Sequence, residues 1–205
     1  MSSGKVSLQY FDLRARGEIL RLVFSAAKIP FEDSRIQFAD WPKLKPNTPY
    51  GTLPVIEIKG NKYSQSLALA TYYARENGLY GSSNLEGLKI DMIQQLREDL
   101  LGVEGKGFGE QDAAKKAEIG NELATNVYPR YLKYFNDILK ANGNGWSVGS
   151  KLSLADIVIF EGTESIQQTN RELIDQFPEV KALRAKVAKV DGIRQYVQSR
   201  KVQGF

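Results

Sequence analysis

Tyr10, the arginines just after it, and a glutamine–serine pair at the head of a later helix are the residues that chemistry could use here. The usual reagents are missing. The chain holds no cysteine and no histidine, which excludes thiolate nucleophiles, disulfides, Cys-ligated metals and imidazole bases. Any reaction must therefore run on tyrosine, lysine, arginine or carboxylates, or borrow its reactive group from a cosubstrate. Tyr10 ends a strand-like segment, where α/β folds place ligand-contacting groups. A core tyrosine fits the position equally well. Arg14 and Arg16, in Phe11-Asp12-Leu13-Arg14-Ala15-Arg16-Gly17-Glu18, offer either an anion site or a solvated turn, and alone they favour the turn.

Other segments suit a small anionic, peptide-like molecule. Leu53-Pro54-Val55 lies between a turn-like stretch and a strand-like run, a place for a cis peptide. Gln65-Ser66 opens an apolar-periodic helix, setting a hydroxyl and backbone N–H groups where the helix dipole favours an anion. Asp40-Trp41-Pro42 with Lys45 brings an indole donor near an ammonium, which suits a carboxylate; a surface loop with a half-buried tryptophan is the plainer alternative. Gly102, Gly105, Gly107 and Gly109 lack the strand, spacing and Lys-Ser/Thr pair of a phosphate loop and read as a helix end or kink. Arg194, Arg200 and Lys201 read as a solvated helix face.

The elements that must position these residues fall into two groups. Lys5 to Tyr10 alternates as a strand with Val6, Leu8 and Tyr10 on one face, and a helix follows from Arg16. Phe31 to Phe38 reads as a strand, and Pro42, Pro46 and Pro49 predict a loop. A hairpin turns at Lys59-Gly60-Asn61, and Leu67 to Glu76 is helical until Gly78. This is a small α/β domain with a mixed sheet. Beyond residues 80–83 the pattern is all helical: Leu85 to Val103, Ala113 to Ala141, a helix opened by a Ser153/Asp156 capping box, Pro178 to Val190, and a last one to about Arg200.

Composition bounds the function. With 42% apolar and 25% charged residues the chain is ordinary for a globular protein. A net charge of +4 from scattered Lys and Arg gives nucleic-acid binding little support. No apolar run approaches the roughly 20 residues that span a bilayer. Met1 to Lys5 lacks the apolar core of a signal peptide, so the expectation is a cytoplasmic protein without membrane contact.

Taken together, Tyr10-Phe11, Arg14 to Glu18, Asp40-Trp41-Pro42 with Lys45, Leu53-Pro54-Val55, Gln65-Ser66-Leu67-Ala68, Asp91, Asp99, and Ser153 with Asp156 resemble the cytosolic glutathione transferases, most closely the sigma class, over the whole chain. The resemblance implies a thioredoxin-like N-terminal domain at 1–79, a mixed four-stranded sheet with helices. A linker at 80–83 and an all-helical domain at 84–205 follow, in a homodimer. It implies glutathione as cosubstrate, no metal, and a thiol supplied by that cosubstrate. Tyr10 would donate to the glutathione sulfur, with Arg16 adding positive potential. Gln65 and Ser66 would hold the γ-glutamyl end, Leu53 before Pro54 would pair with the cysteinyl main chain, and Trp41 and Lys45 would take the glycyl carboxylate. Asp99 would reach a neighbouring subunit's γ-glutamyl amine. Phe11, Leu13, Arg16, Leu101, Val158, Gly162 and Phe205 would line the electrophile pocket. Thr52 and Thr71 depart from the family's commoner Gln or Lys and Arg. The family's functions include conjugation to small hydrophobic electrophiles, glutathione-dependent prostaglandin isomerisation and non-catalytic crystallin-like roles. Retention of the Tyr10, Arg16, Trp41, Lys45, Gln65 and Ser66 set favours conjugation.

Overall fold

The computed structural model describes residues 5–200. The chain divides into two compact units: one holds residues up to Leu79 with those from Ala188 onward, and the other is Tyr80–Val187.

The first unit is built on strand β1 (Val6–Phe11), helix α1 (Ala15–Ala26), strand β2 (Phe31–Ile36), a single turn α2 (Trp41–Leu44), strands β3 (Val55–Ile58) and β4 (Asn61–Ser64), and helix α3 (Ser66–Glu76). The sheet order is β2-β1-β3-β4. Strand β1 runs parallel to β2, setting Tyr10 opposite Arg35, and antiparallel to β3, setting Gln9 opposite Val55. This is the mixed sheet of a thioredoxin-like fold. The two-residue period of β1 buries Leu8 and Tyr10 together. The apolar stripe of α1, with Ile19, Leu20, Val23 and Phe24 buried, meets α3 through an edge-to-face pair of Phe24 and Tyr73, their ring centroids 4.8 Å apart. Lys59 and Gly60 both take positive φ, 52° and 80°, as a two-residue hairpin turn of this hand requires. The proline-rich stretch is not the expected loop: 3₁₀ turns at Phe38–Asp40 and Lys45–Asn47 flank α2. Pro42 and Pro46 are the second residues of their turns, within the first turn where a missing N–H costs nothing.

The second unit comprises α4 (Asn84–Glu104), α5 (Ala113–Glu122), α6 (Tyr128–Asn142), α7 (Leu154–Gly162), α8 (Glu164–Thr169), α9 (Arg171–Asp175) and α10 (Pro178–Val187). Helix α7 is apolar on nearly every face and buried along its length except at Glu161, as a helix surrounded by others must be. Its start is fixed by Asp156, whose carboxylate accepts from the amides and hydroxyls of both Ser147 and Ser153 at 2.7–2.9 Å. This capping box is the one the sequence predicts, with Ser147 added from the preceding loop. The expected single helix from Ala113 to Ala141 is interrupted by a π-helical turn at Leu123–Val127, just before Pro129, which lacks the donor needed to continue an α-ladder. After the glycines near the end of α4 comes only a 3₁₀ turn, Gly105–Gly107.

The helix α11 (Asp191–Ser199) groups by its contacts with the first unit, within the stretch 84–205 that the sequence reading expects to be all helical. The reason is local packing. A Cβ on Gly192 would lie 1.8 Å from the carbonyl oxygen of Ser25 at the end of α1, so only glycine allows this approach. Among the described residues no helix is long and apolar enough to cross a membrane.

Candidate functional site

Strand β1 delivers Tyr10 to the start of the turn that leads into α1. Its ring is 94% buried, with 6% exposed, and Gly17 in the first turn of α1 makes the room. A Cβ on Gly17 would stand 2.4 Å from Cδ1 and 2.6 Å from Cγ of Tyr10. The Tyr10 hydroxyl oxygen accepts from the backbone N–H of Arg16 at 3.1 Å. That bond occupies one lone pair of the phenolic oxygen. It also places the oxygen at the positive end of α1. The side chain of Arg16 is exposed, and that of Arg14 is buried.

An aromatic wall stands next to this tyrosine. Phe11 stacks on Phe38 with centroids 4.6 Å apart and meets Trp41 edge-on at 5.5 Å. Phe11, Tyr10 and Trp41 are therefore brought together, with Leu13 half-buried in the turn. Lys45 is exposed, and its stem runs alongside Gly51, whose φ of +64° keeps that turn open to glycine.

Across the sheet, the Leu53–Pro54 bond is cis and leads directly into β3. Gln65 takes φ +79° and ψ 100°, a backbone conformation that non-glycine residues rarely adopt. Strain of this kind collects at ligand-holding sites. Ser66, 7% exposed, then opens α3, and no side chain caps that helix. Uncapped N-terminal amides at the positive end of an eleven-residue helix suit a carboxylate. Thr52 is exposed.

In the second unit Asp99 is exposed on α4. It contributes, after burial, to the upward push on the Tyr131 phenol. Leu101 and Val158 are buried core residues of α4 and α7. Gly162 gives up its side-chain space to Arg97: a Cβ there would meet Arg97 Cδ at 2.3 Å. Packing thus accounts for Val158 and Gly162 without a ligand. Phe205 lies outside the described residues.

The sequence reading misses a buried ion network behind Tyr10. Arg21 is 0% exposed and its guanidinium centre is 5.7 Å from the Tyr10 ring. It donates to Asp33 at 3.1 Å, to Glu18 at 3.3 Å, and to the carbonyls of Leu13 and Phe11 at 2.8 and 3.4 Å. Glu18 also accepts from Tyr196 at 2.9 Å and Arg200 at 2.6 Å. Arg200 is thus no solvated residue; its side chain is 10% exposed. Burial and the Glu18 carboxylate together push the Tyr196 phenol above its ordinary range. One signal was present: a charge inside the run Ile19-Leu20-Arg21-Leu22-Val23-Phe24 must find a partner.

Comparison with known proteins fits this geometry. Residues 6–75 match the glutathione S-transferase N-terminal domain and residues 98–200 the C-terminal domain. The chain is 36% identical to the hematopoietic prostaglandin D synthase of Gallus gallus, with 94% of this chain and 95% of that one covered. It is 34% identical to S-crystallin SL11 of Nototodarus sloanii, covering 97% and 98%. "Probable glutathione S-transferase 6" of Caenorhabditis elegans is 32% identical, covering 94% and 95%. Among solved structures, prostaglandin synthase D of Nilaparvata lugens superposes with a TM-score of 0.88 at 35% identity, covering 97% of this chain and 100% of that one. Na-GST-3 of Necator americanus, described as monomeric, gives 0.89 at 29% identity, covering 98% and 100%.

Proposed function

We propose that this chain, which belongs to the glutathione S-transferase family, activates the thiol of glutathione with Tyr10 and adds it to small hydrophobic electrophiles. The observation that carries the reading is the Tyr10 hydroxyl, set on a buried ring at the start of α1 and held by the Arg16 amide at 3.1 Å. A free thiol with a pKa of about 8.5 is only a few per cent thiolate at pH 7. A donor that bonds the charged form lowers that pKa. A drop of about two units, roughly 2.7 kcal/mol, makes thiolate the main species. The thiolate sulfur then attacks the electrophilic carbon. With an activated chloroarene a C–S bond forms, the C–Cl bond breaks, chloride leaves, and the thiol proton goes to solvent.

The remaining roles are proposals of the same reading. Ser66 and the uncapped amides of α3 take the γ-glutamyl carboxylate, helped by Gln65. Leu53 meets the cysteinyl main chain, Trp41 and Lys45 the glycyl carboxylate, and Phe11, Leu13 and Arg16 the electrophile. The protein works as a cytoplasmic homodimer in which Asp99 completes the site of a second copy. No metal takes part.

Substituting Tyr10→Phe tests the reading. Glutathione binding is expected to persist while turnover of an activated chloroarene falls about ten- to a thousandfold, as for loss of one stabilising donor. Unchanged turnover would remove Tyr10 as the catalyst. The likeness to prostaglandin D synthases supports a second reading, glutathione-dependent prostaglandin isomerisation. Faster formation of prostaglandin D than turnover of any chloroarene would favour it. The likeness to S-crystallin supports a non-catalytic role, which intact glutathione binding without turnover would reveal.

A further inference from the structure

The turn carrying Tyr10 is gripped from behind by one guanidinium. Arg21 donates to the carbonyls of Phe11 and Leu13, one and three residues after the tyrosine, and its other bonds go to Asp33 and Glu18. Asp33 is shared with Arg35, which also pairs with Asp12 in the same turn at 2.7 Å. Glu18 is 2% exposed. A carboxylate buried so deeply needs more than one partner, and the chain's last described residues supply them: Tyr196 on one oxygen, Arg200 on the other.

We propose that Arg21, together with the Glu18–Tyr196–Arg200 latch behind it, is the positioning device that sets the Tyr10 hydroxyl for thiol activation. None of these groups touches the reacting atoms. They act through the two carbonyls that fix the turn, and through the first turn of α1, where Arg16 holds the hydroxyl. Glu18 competes for Arg21 when its own partners are lost. With Arg200 gone, the unsatisfied oxygen draws Arg21 off the carbonyls of Phe11 and Leu13, and the turn relaxes. The proposal rests on Tyr10 being the thiol-activating residue.

The test compares Arg200→Gln and Tyr196→Phe with wild type, reading kcat/KM for glutathione and a chloroarene from pH 5.5 to 9. Tyr10→Phe runs in parallel. The phenyl ring retained in Tyr196→Phe preserves packing should Arg200→Gln fold poorly. Expected are near-unchanged glutathione affinity and an acid limb moved up by about half a pH unit or more. At pH 6.5, kcat/KM should fall about five- to thirtyfold, within what a sub-ångström misplacement costs. Arg200→Lys should recover part of the loss. Arg194→Gln is the control: its partner is the exposed Asp191 on the same helix, and it should leave the profile in place. A lowered melting temperature with an unmoved pH profile in both latch variants would overturn the positioning role. If Tyr10→Phe itself leaves turnover intact, the failure lies with the Tyr10 reading instead.

Discussion

Gly17→Ala is the sharpest available probe of Tyr10, because it disturbs the ring without altering the hydroxyl. The added methyl carbon would lie 2.4 Å from Cδ1, 2.6 Å from Cγ and 3.1 Å from Cβ of Tyr10. Ordinary carbon–carbon contact begins near 3.4 Å, so ring and helix must separate by about 1 Å. The offending atoms lie at the root of the side chain, and a rotamer change cannot clear all three. The separation therefore reaches the hydroxyl or breaks its 3.1 Å bond from the Arg16 amide. A misplacement of about 1 Å at a reacting group costs on the order of a hundredfold in rate. Overpacking of a core adds about 1–3 kcal/mol of destabilisation. The assay is steady-state turnover of an activated chloroarene at saturating glutathione, with glutathione affinity measured by calorimetry and folding by thermal melt. Turnover should fall about 30- to 300-fold while affinity changes by less than about threefold. A folded Gly17→Ala protein with wild-type turnover would show that Tyr10 need not hold this position, and the proposed mechanism would fall with it.

Two further outcomes follow from the second unit. Glu104 shares Arg97 with Glu161, at 3.0 Å and 2.8 Å; burial pushes it up to about 7 against the pull of Arg97. A carboxyl whose folded pKa is raised loses stability as pH climbs from its unfolded value near 4.5 to about 7, and the loss is constant above. Glu104→Gln escapes that loss, so its stability relative to wild type should grow on the order of 3 kcal/mol across the window; chemical denaturation at a series of pH values reads this, and a pH-independent difference refutes it. For Asp99, sedimentation should give a dimer whose glutathione affinity drops about three- to tenfold in Asp99→Asn, as for loss of one charged hydrogen bond. A fully active monomer would contradict the shared site.

Local rules made much of the fold readable. The hairpin is legible because Lys59-Gly60 meets the turn's own demand for positive φ, and the start of α7 because Ser153 and Asp156 sit at capping-box spacing. The start of α3 is legible to within a residue. The short helices α8 and α9 are not: six and five residues offer too little periodicity to detect. Prolines at helix starts read from sequence as loop formers, since Pro42 marks either context. In the candidate site, Tyr10, Gln65 and Ser66 stand out by type and position, but Glu18, Arg21 and Arg200 do not. Their partners lie far away in sequence, and a buried ion pair leaves no pattern beyond an odd charge in an apolar run. The same distance hides α11, whose Gly192 has meaning only against the carbonyl of Ser25.

The bonds from Tyr196 and Arg200 to Glu18 close loops of 178 and 182 residues. Contacts of that span pay the largest chain-closure entropy and come late in folding. During synthesis, the sheet and α1 can form while the helical unit is still being made, but the latch must wait for the final turn of α11 to emerge. The first unit is thus assembled from two stretches of chain separated by the whole helical unit. A chain cut short before residue 196 would keep every residue assigned to glutathione in that unit and still leave Glu18 buried without two of its partners.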